Sequence, residues 1–268
     1  MTLTSTLGFG LAALITFSLA SGTSQEPTAQ QEQATKASDS GGPVSKLVTG
    51  KIAGKVSFVG DIVKTQSLVV PAQQAKGCCA EGVAVDDQDL SLMIDESGGV
   101  ANAVISIKIE GRKPKIPTKP AVIDQKGCRF LPHLTVLPAG GTVEFKNSDK
   151  AVHNIHTYPF KNGQINRAVL GDTSLTQKYK YAEAIKIGCD MHTWMSCYVY
   201  VTDASVWAVT AKDGSFTLPE LPAGEYKLKI WHEKLGKSEA TATIAADGSC
   251  HAVEVLMTPK KTKRRRRR

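Results

Sequence analysis

The sequence has little that could form helices, and it has no long apolar run after its first twenty residues. Beyond Ala20 the apolar residues come in short runs that alternate with polar ones, and no helical period of 3.6 residues persists. These absences exclude a helical fold and leave no further segment that could cross a membrane. We therefore predict that the chain after Ala20 is all β.

Groupings of catalytic residues are also missing. No set of Ser, His and Asp and no pair of carboxylates is placed for catalysis, because Asp86-Asp87 and Asp95-Glu96 are typical of turns. We expect that the chain is not an enzyme.

The apolar run from Leu7 to Ala20 has the length of a signal-peptide core and is too short to span a bilayer comfortably. Small residues at Ser18 and Ala20 suit a signal peptidase, although no Lys or Arg precedes the run. We predict a signal peptide over 1–20 and export to the periplasm or the cell surface. An uncleaved apolar anchor is the alternative.

Two polar segments lie outside any predicted core. Residues 21–47 are rich in Ser, Thr, Gln, Glu, Gly and Ala, a composition that predicts a disordered linker. The tail over 259–268 holds eight positive charges, which equals the whole net charge of +8. We predict a solvated basic end that contacts anionic surfaces rather than nucleic acid, because no aromatic residues are interleaved with the charges.

Two stretches carry metal-binding chemistry. The first is Cys189-Asp190-Met191-His192-Thr193-Trp194-Met195, in which two residues separate Cys189 from His192 and two separate His192 from Met195. The second runs from Asn147 to Asn154 and contains His153. A thiolate, two imidazoles and a thioether are the ligands of a trigonal copper site with a weak axial Met. These side chains predict one mononuclear blue copper ion per chain.

The spacing also predicts the local structure. A strand could not aim all three ligands of the 189–195 loop at one point, because its side chains alternate between faces. The loop must therefore be a tight turn between two strands, predicted over 184–187 and 197–201. His153 is expected on a separate strand over 152–158 that follows an alternating run over 142–146.

The order strand, Asn-x-Asp, His-Asn-x-His and Cys-x-x-His-x-x-Met resembles the cupredoxins, most closely the amicyanin and plastocyanin type, over residues 119–202. The resemblance implies a Greek-key β-sandwich or barrel. It implies that Asn154 ties the His153 strand to the Cys189 loop. The copper ligands that it implies are His153, Cys189, His192 and Met195.

The same resemblance makes His192 the ring nearest solvent and the electron port, bordered by Met191, Thr193 and Trp194.

Zinc is the alternative metal because Cys and His also suit it, but a Met at a fixed offset favours copper. Each residue also has an ordinary role, since Cys and Met often fill buried apolar space. A binuclear purple centre is excluded, because Ile185 stands where a second Cys would be required.

Short β-patterned runs flank this segment, over 50–58, 99–109, 206–219 and 221–231. Asp213-Gly214 predicts a tight hairpin within the third run, and Pro222-Ala223-Gly224 predicts a further turn. Two patterns resemble the carboxypeptidase regulatory-like (transthyretin-like) sandwich. They are Gly-x-x-x-Gly-x-Val and Val-Thr-Ala-x-Asp-Gly-x-Phe-x-Leu-Pro-x-Leu-Pro-x-Gly-x-Tyr-x-Leu.

The interruption of this second resemblance predicts the domain order. We expect a cupredoxin domain over 118–202 that is inserted in a smaller sandwich formed by 48–117 and 203–258. The alternative is a tandem order, with a cupredoxin over 48–202 followed by a partial sandwich.

Six cysteines in an exported chain predict oxidising surroundings, in which Cys189 must stay free to bind metal. A bridge from Cys78 or Cys79 to Cys128 is expected, with Cys79–Cys128 as the candidate, and Cys197–Cys250 is a weaker pairing.

Among the other histidines, His156 is expected to point away from the copper. A second metal site formed by His133 and His156 is a minor alternative, and His232 is expected to close a strand with Glu233 or the backbone as its partner.

Together these patterns predict an exported protein that transfers electrons to a transient redox partner, a cytochrome or an oxidoreductase. A structural surface protein that binds polysaccharide is one alternative, and copper storage or delivery is another. Storage usually needs a labile or Met-rich site, whereas the sequence holds only 5 Met.

Overall fold

The computed structural model describes residues 48–61, 66–79 and 83–259. The predicted signal peptide, the linker and the basic tail from residue 260 lie outside these ranges. Within them every regular element is a β-strand, which confirms the prediction of an all-β chain. No candidate membrane-spanning helix occurs in the described part of the chain.

Eighteen strands occur in the described residues. They are β1 (Thr49–Gly50), β2 (Ala53–Phe58), β3 (Val104–Ile107), β4 (Ala121–Gln125), β5 (Phe130–Leu131), β6 (Leu134–Pro138), β7 (Thr142–Asn147), β8 (His153–Tyr158), β9 (Asn166–Val169), β10 (Ser174–Lys178), β11 (Glu183–Gly188), β12 (Ser196–Thr202), β13 (Val206–Val209), β14 (Ser215–Thr217), β15 (Leu221–Pro222), β16 (Gly224–His232), β17 (Gly236–Ile244) and β18 (Val253–Met257).

The first hydrophobic core is built from the two ends of the described chain. Its sheets have the strand orders β13-β3-β16-β17, β14-β2-β18 and β1-β15. Alternation along β16 buries Leu228 and Ile230 against Ile105 of β3 and Val56 of β2, while Lys229 between them stays exposed. This core therefore joins residues on both sides of the metal-binding motifs.

The second core lies between two sheets with the strand orders β10-β7-β4-β5 and β6-β12-β11-β8-β9. Period-two patterns decide which side chains enter it: Val143 and Phe145 from β7, and Ile185 and Ile187 from β11. Cys189 belongs to the same buried cluster. The candidate ligand loop thus starts from the edge of a packed core.

Strand β12 uses both of its faces. Cys197, Val199 and Val201 point into the second core, whereas Tyr198 and Tyr200 stand on the opposite face. There both tyrosine rings pack on Trp231 of β16, with ring centroids 5.5 Å and 4.9 Å apart. This contact joins the sheets that carry the two cores.

Two sequence expectations differ from the structure. A turn forms at Asp213-Gly214, but β13 pairs with β3 and β14 pairs with β2, so the two strands do not make the predicted hairpin. The domain boundaries stay a prediction. One stretch packs against a different core from the rest of the domain to which these boundaries assign it. Cys78, with Leu68 and Val70 nearby, lies against the second core although it falls within 48–117.

Candidate metal centre

The seven-residue loop between β11 and β12 turns back on itself. Gly188 and Ser196 are the last paired residues of these antiparallel strands. Within the loop the Met195 N–H donates to the His192 carbonyl at 2.8 Å, and the Cys189 N–H donates to the Met195 carbonyl at 3.3 Å. The backbone therefore fixes the tight turn that the spacing requires.

His153, the first residue of β8, meets this loop because β8 lies antiparallel to β11. Its Nδ1 is 2.9 Å from the Nδ1 of His192, and the Cys189 Sγ is 3.5 Å from that same nitrogen. The ligand atoms of all three residues lie within 4.8 Å of one another, and all three residues are buried. Two nitrogens about 2.0–2.1 Å from one ion would lie about 3 Å apart, so the spacing suits a metal ion.

Met195 closes the loop, and its side chain is buried in the second core together with Cys189 and Trp194. Its backbone contacts place it directly beside the two loop ligands. The axial role of its sulfur stays a prediction.

The surroundings of the cluster lower the pKa of both loop ligands, Cys189 and His192. Burial alone would raise the pKa of the Cys189 thiol, but hydrogen bonding with His153 and with nearby backbone N–H groups outweighs it and lowers that pKa. Burial also lowers the pKa of His192, and the neighbouring charge of His153 adds to this effect. A thiolate and a neutral imidazole are the forms that bind metal ions.

Asp149 is a candidate site residue that the sequence interpretation did not assign. Its Oδ2 accepts hydrogen bonds from the His153 Nε2–H at 2.9 Å and from the Cys128 N–H at 2.8 Å, and its Oδ1 accepts from the Gly127 N–H at 2.6 Å. Burial would raise the pKa of Asp149, but these bonds together lower it. A carboxylate at Nε2 leaves the Nδ1 lone pair of His153 free to face the cluster. The Asn-x-Asp pattern upstream of His153 was the available signal.

We expect the Asp149→Asn variant to bind metal about 10- to 100-fold more weakly, because the ring of His153 loses its charged acceptor. Competition with a chromophoric chelator measures the affinity. Asp172→Asn is the matched control, since Asp172 lies exposed in a turn with a φ of 57°, which Asn also adopts. Equal affinities for the two variants would contradict the assigned role of Asp149.

Asn154 joins the His153 strand to the Cys189 loop. Its Oδ1 accepts from the Asp190 N–H at 2.7 Å, and its Nδ2–H donates to the Asp190 Oδ2 at 3.0 Å. Its own N–H points at the Cys189 sulfur, 3.5 Å away. The carboxylate of Asp190 also pairs with His156, whose Nδ1 is 2.9 Å from Oδ1. This outer network holds the loop from the β8 side.

The expected electron port at His192 stays a prediction. Among the four candidate ligands His192 is the most exposed, with 7% of its surface open to solvent. Of its expected neighbours, Met191 is 43% exposed and Trp194 only 6%. Trp194 instead donates its indole N–H to the Cys128 carbonyl at 3.1 Å. Cys78, in a segment over 71–79 that the resemblance does not include, lies against the ring of His192.

The cysteine pairing also needs correction. Cys78, not Cys79, bridges to Cys128, and Cys79 is a free thiol. Cys78 is the buried member of the pair at 2% exposure, so its side chain is the one that points to Cys128. Cys197 and Cys250 do not pair, because Cys197 is buried in the second core and Cys250 packs against the first.

The remaining histidines have other partners. His133 is buried against Glu233, and His156 pairs with Asp190, so the alternative of a joint metal site is not supported. His232 closes the end of β16, where its Nδ1 accepts from the Lys234 N–H at 3.2 Å. None of the three belongs to the candidate metal groups of the described residues.

No family model matches the chain. Rhamnogalacturonate lyase A of Emericella nidulans is 40% identical over 50 residues, which cover 19% of this chain and 10% of that protein. The chain therefore spans about a tenth of the curated protein that it matches.

Solved structures with some similarity include cupredoxins. Amicyanin from Paracoccus versutus has a TM-score of 0.29 at 20% identity, with 37% of this chain and 97% of that chain covered. A purple cupredoxin from Nitrosopumilus maritimus has a TM-score of 0.27 at 21% identity, with coverages of 31% and 99%. A copper-containing nitrite reductase from Thermus scotoductus SA-01 has a TM-score of 0.30 at 16% identity, with coverages of 36% and 25%. Scores of this size do not establish a shared fold.

Proposed function

We propose that this chain is an exported type 1 copper protein that transfers electrons by outer-sphere exchange. The observation that carries the proposal is the buried convergence of the Cys189 sulfur with the Nδ1 atoms of His153 and His192. Two imidazoles and one thiolate at this spacing are the donor set of a blue copper site.

Copper is preferred to zinc because of the fourth candidate ligand. Met195 is buried in the same loop, and a thioether suits copper better than zinc. Structural zinc sites usually draw four ligands from Cys, His or carboxylate side chains, and this cluster offers three. The nearest carboxylate, Asp149, is occupied by His153 and two backbone N–H groups.

A bound copper ion would supply a one-electron redox couple. The chain contributes rigidity, since Asp149 orients His153, Asn154 holds the Cys189 loop, and the loop backbone fixes His192. Ligands held in place beforehand keep reorganisation small when the charge changes. With the proposed four positions filled by protein, no position is open for a substrate, so we propose electron transfer and not catalysis.

The partner and the location belong to the same proposal. We infer a transient redox protein, a cytochrome or an oxidoreductase, as the partner, since electron-transfer encounters use small interfaces. The periplasm or the cell surface is the proposed location, on the strength of the apolar run over 7–20.

The test is to load the purified protein with Cu(II) and to record visible absorption, paramagnetic resonance and a redox titration. We expect an intense thiolate-to-copper charge-transfer band that disappears on reduction and returns on oxidation. A colourless complex with one bound ion would overturn the proposal in favour of storage or of zinc binding. Zinc loading serves as the comparison, because it occupies the site without colour.

A further inference from the structure

A folded segment, here called the cap, covers the candidate metal centre. It comprises the described residues 66–79 and 83–89. Its two ends meet, since the Leu68 N–H donates to the Asp87 carbonyl at 2.6 Å and the Asp89 N–H donates to the Gln66 carbonyl at 3.0 Å. The buried guanidinium of Arg129 holds this base by donating to the backbone carbonyls of Asp86 and Gln88. The base of the cap is therefore anchored independently of its tip.

The tip of the cap, residues 71–79, lies over His192. The sulfur atoms of Cys78 and Cys128 lie within 4.8 Å of a ring nitrogen of His192. This contact leaves only 7% of His192 exposed.

Little besides the disulfide holds this tip in place. Among residues 71–79 only Cys78 is buried, and residues 71–74, 76 and 77 are exposed to solvent. A segment with so little buried apolar surface opens easily once its covalent link is broken. The disulfide Cys78–Cys128 is thus the main restraint that keeps the His192 ring covered.

We propose that Cys78–Cys128 is a thiol-exchange site that controls access to His192. The inference rests on the proposed function, since His192 is the ring through which electrons would leave. In the oxidised state the tip blocks the docking of a redox partner, and in the reduced state the tip swings away from its anchored base and exposes the ring.

The exchange takes an external dithiol as its substrate. One thiolate of the dithiol attacks a sulfur of the bridge and forms a mixed disulfide, and the second thiolate then displaces the protein sulfur. The dithiol is oxidised to its disulfide, while Cys78 and Cys128 each gain one electron and one proton and become thiols. Both sulfurs are buried, so the attack follows a transient opening of the tip.

The test uses metal-free protein, so its outcome does not depend on copper binding. Acylation of histidines by diethyl pyrocarbonate is followed by peptide mapping, before and after reduction with dithiothreitol and its anaerobic removal. We expect modification of His192 to accelerate on the order of tenfold or more after reduction. His251 is exposed in either state and serves as the internal reference. Deuterium exchange over 71–79 should accelerate in parallel, with β11 and β12 unchanged.

A pair of variants separates the bridge from other effects of the reductant. Cys78→Ser alone is unsuitable, because it leaves the adjacent free thiol of Cys79 as an alternative partner for Cys128. Cys79 lies beside Gly127, the residue before Cys128, at 3.7 Å from the position of a Cβ there. The double variant Cys78→Ser/Cys79→Ser should reproduce the fast modification without reductant. Cys79→Ser keeps the bridge and should behave like the wild type. Equal protection of His192 in the double variant and the wild type would overturn the proposal.

A second measurement links access to electron transfer. In copper-loaded protein, the double variant should exchange electrons with a redox protein faster than Cys79→Ser does. Equal rates, despite an exposed ring, would overturn control of electron transfer by the bridge while leaving the copper function intact. A copper complex without colour would instead overturn the proposed function, and the accessibility result would still stand.

Discussion

The Cys189→Ser variant should lose the visible charge-transfer band of the copper-loaded protein completely. The band requires a thiolate bonded to Cu(II), and a serine hydroxyl is neither ionised at neutral pH nor a soft ligand. Among the described residues, the Cys189 sulfur is the one sulfur that shares a three-ligand group with both His153 and His192. We also expect copper affinity to fall by more than about 100-fold, since a whole ligand is lost rather than its support.

Cys250→Ser is the matched control for this experiment. Cys250 is a free, half-buried thiol that packs beside the first core and belongs to none of the candidate metal groups in the described residues. Absorption and paramagnetic resonance spectra of the two variants should therefore differ, with full colour retained by Cys250→Ser. Colour that persists in Cys189→Ser would show that another sulfur binds the metal and that the ligand assignment is wrong.

The loop ligands could be read from the sequence because their placement is local. A Cys, a His and a Met at intervals of three residues between two strands can converge only if the connection is a tight turn, and the backbone forms that turn. The position of His153 could be predicted for a related reason, since an alternating run before it indicates a neighbouring strand. Strand patterning also predicted the strand over 184–187, which lies within β11.

The cap could not be predicted, because it depends on a long-range pairing without periodicity. Residues 66–79 contain turn-forming and polar residues, and nothing local shows that they fold over a site more than one hundred residues later in the chain. The choice between Cys78 and Cys79 is likewise undetermined by sequence, since adjacent cysteines differ only in which side chain points inward. The cover over His192 was not predicted for this reason.

The role of Asp149 could not be predicted from the sequence for a different reason. The sequence places it in the Asn-x-Asp pattern, but a carboxylate in a turn is most often a solvated residue. Its role appears only when residues 127 and 128 arrive from another turn and donate their N–H groups to it. The part of the centre that orients His153 is therefore tertiary, whereas the part that supplies the loop ligands is local.

The Asn147→Ala variant should be strongly destabilised. The side chain of Asn147 is fully buried and forms hydrogen bonds with three backbone groups of the turn and its neighbours. Its Nδ2–H groups donate to the carbonyls of Ala151 and Val169, each at 2.9 Å, and its Oδ1 accepts from the Asp149 N–H at 3.0 Å. Removing it leaves buried polar groups unsatisfied, at about 1–3 kcal/mol each. We expect the free energy of unfolding to fall by about 3–6 kcal/mol.

Denaturant unfolding of the metal-free protein measures this loss, with Asn162→Ala as the control. Asn162 also bonds to several backbone groups, including the N–H of Lys180 at 2.7 Å and the carbonyl of Tyr181 at 2.8 Å, but it does so at the surface. Water replaces those bonds, so its loss should cost less than about 1 kcal/mol. Because Asn147 fixes the turn that carries Asp149, its variant should also bind metal more weakly than Asn162→Ala. Similar unfolding energies for the two variants would mean that the turn before His153 is held by other contacts, and Asp149 would then be placed only when metal binds.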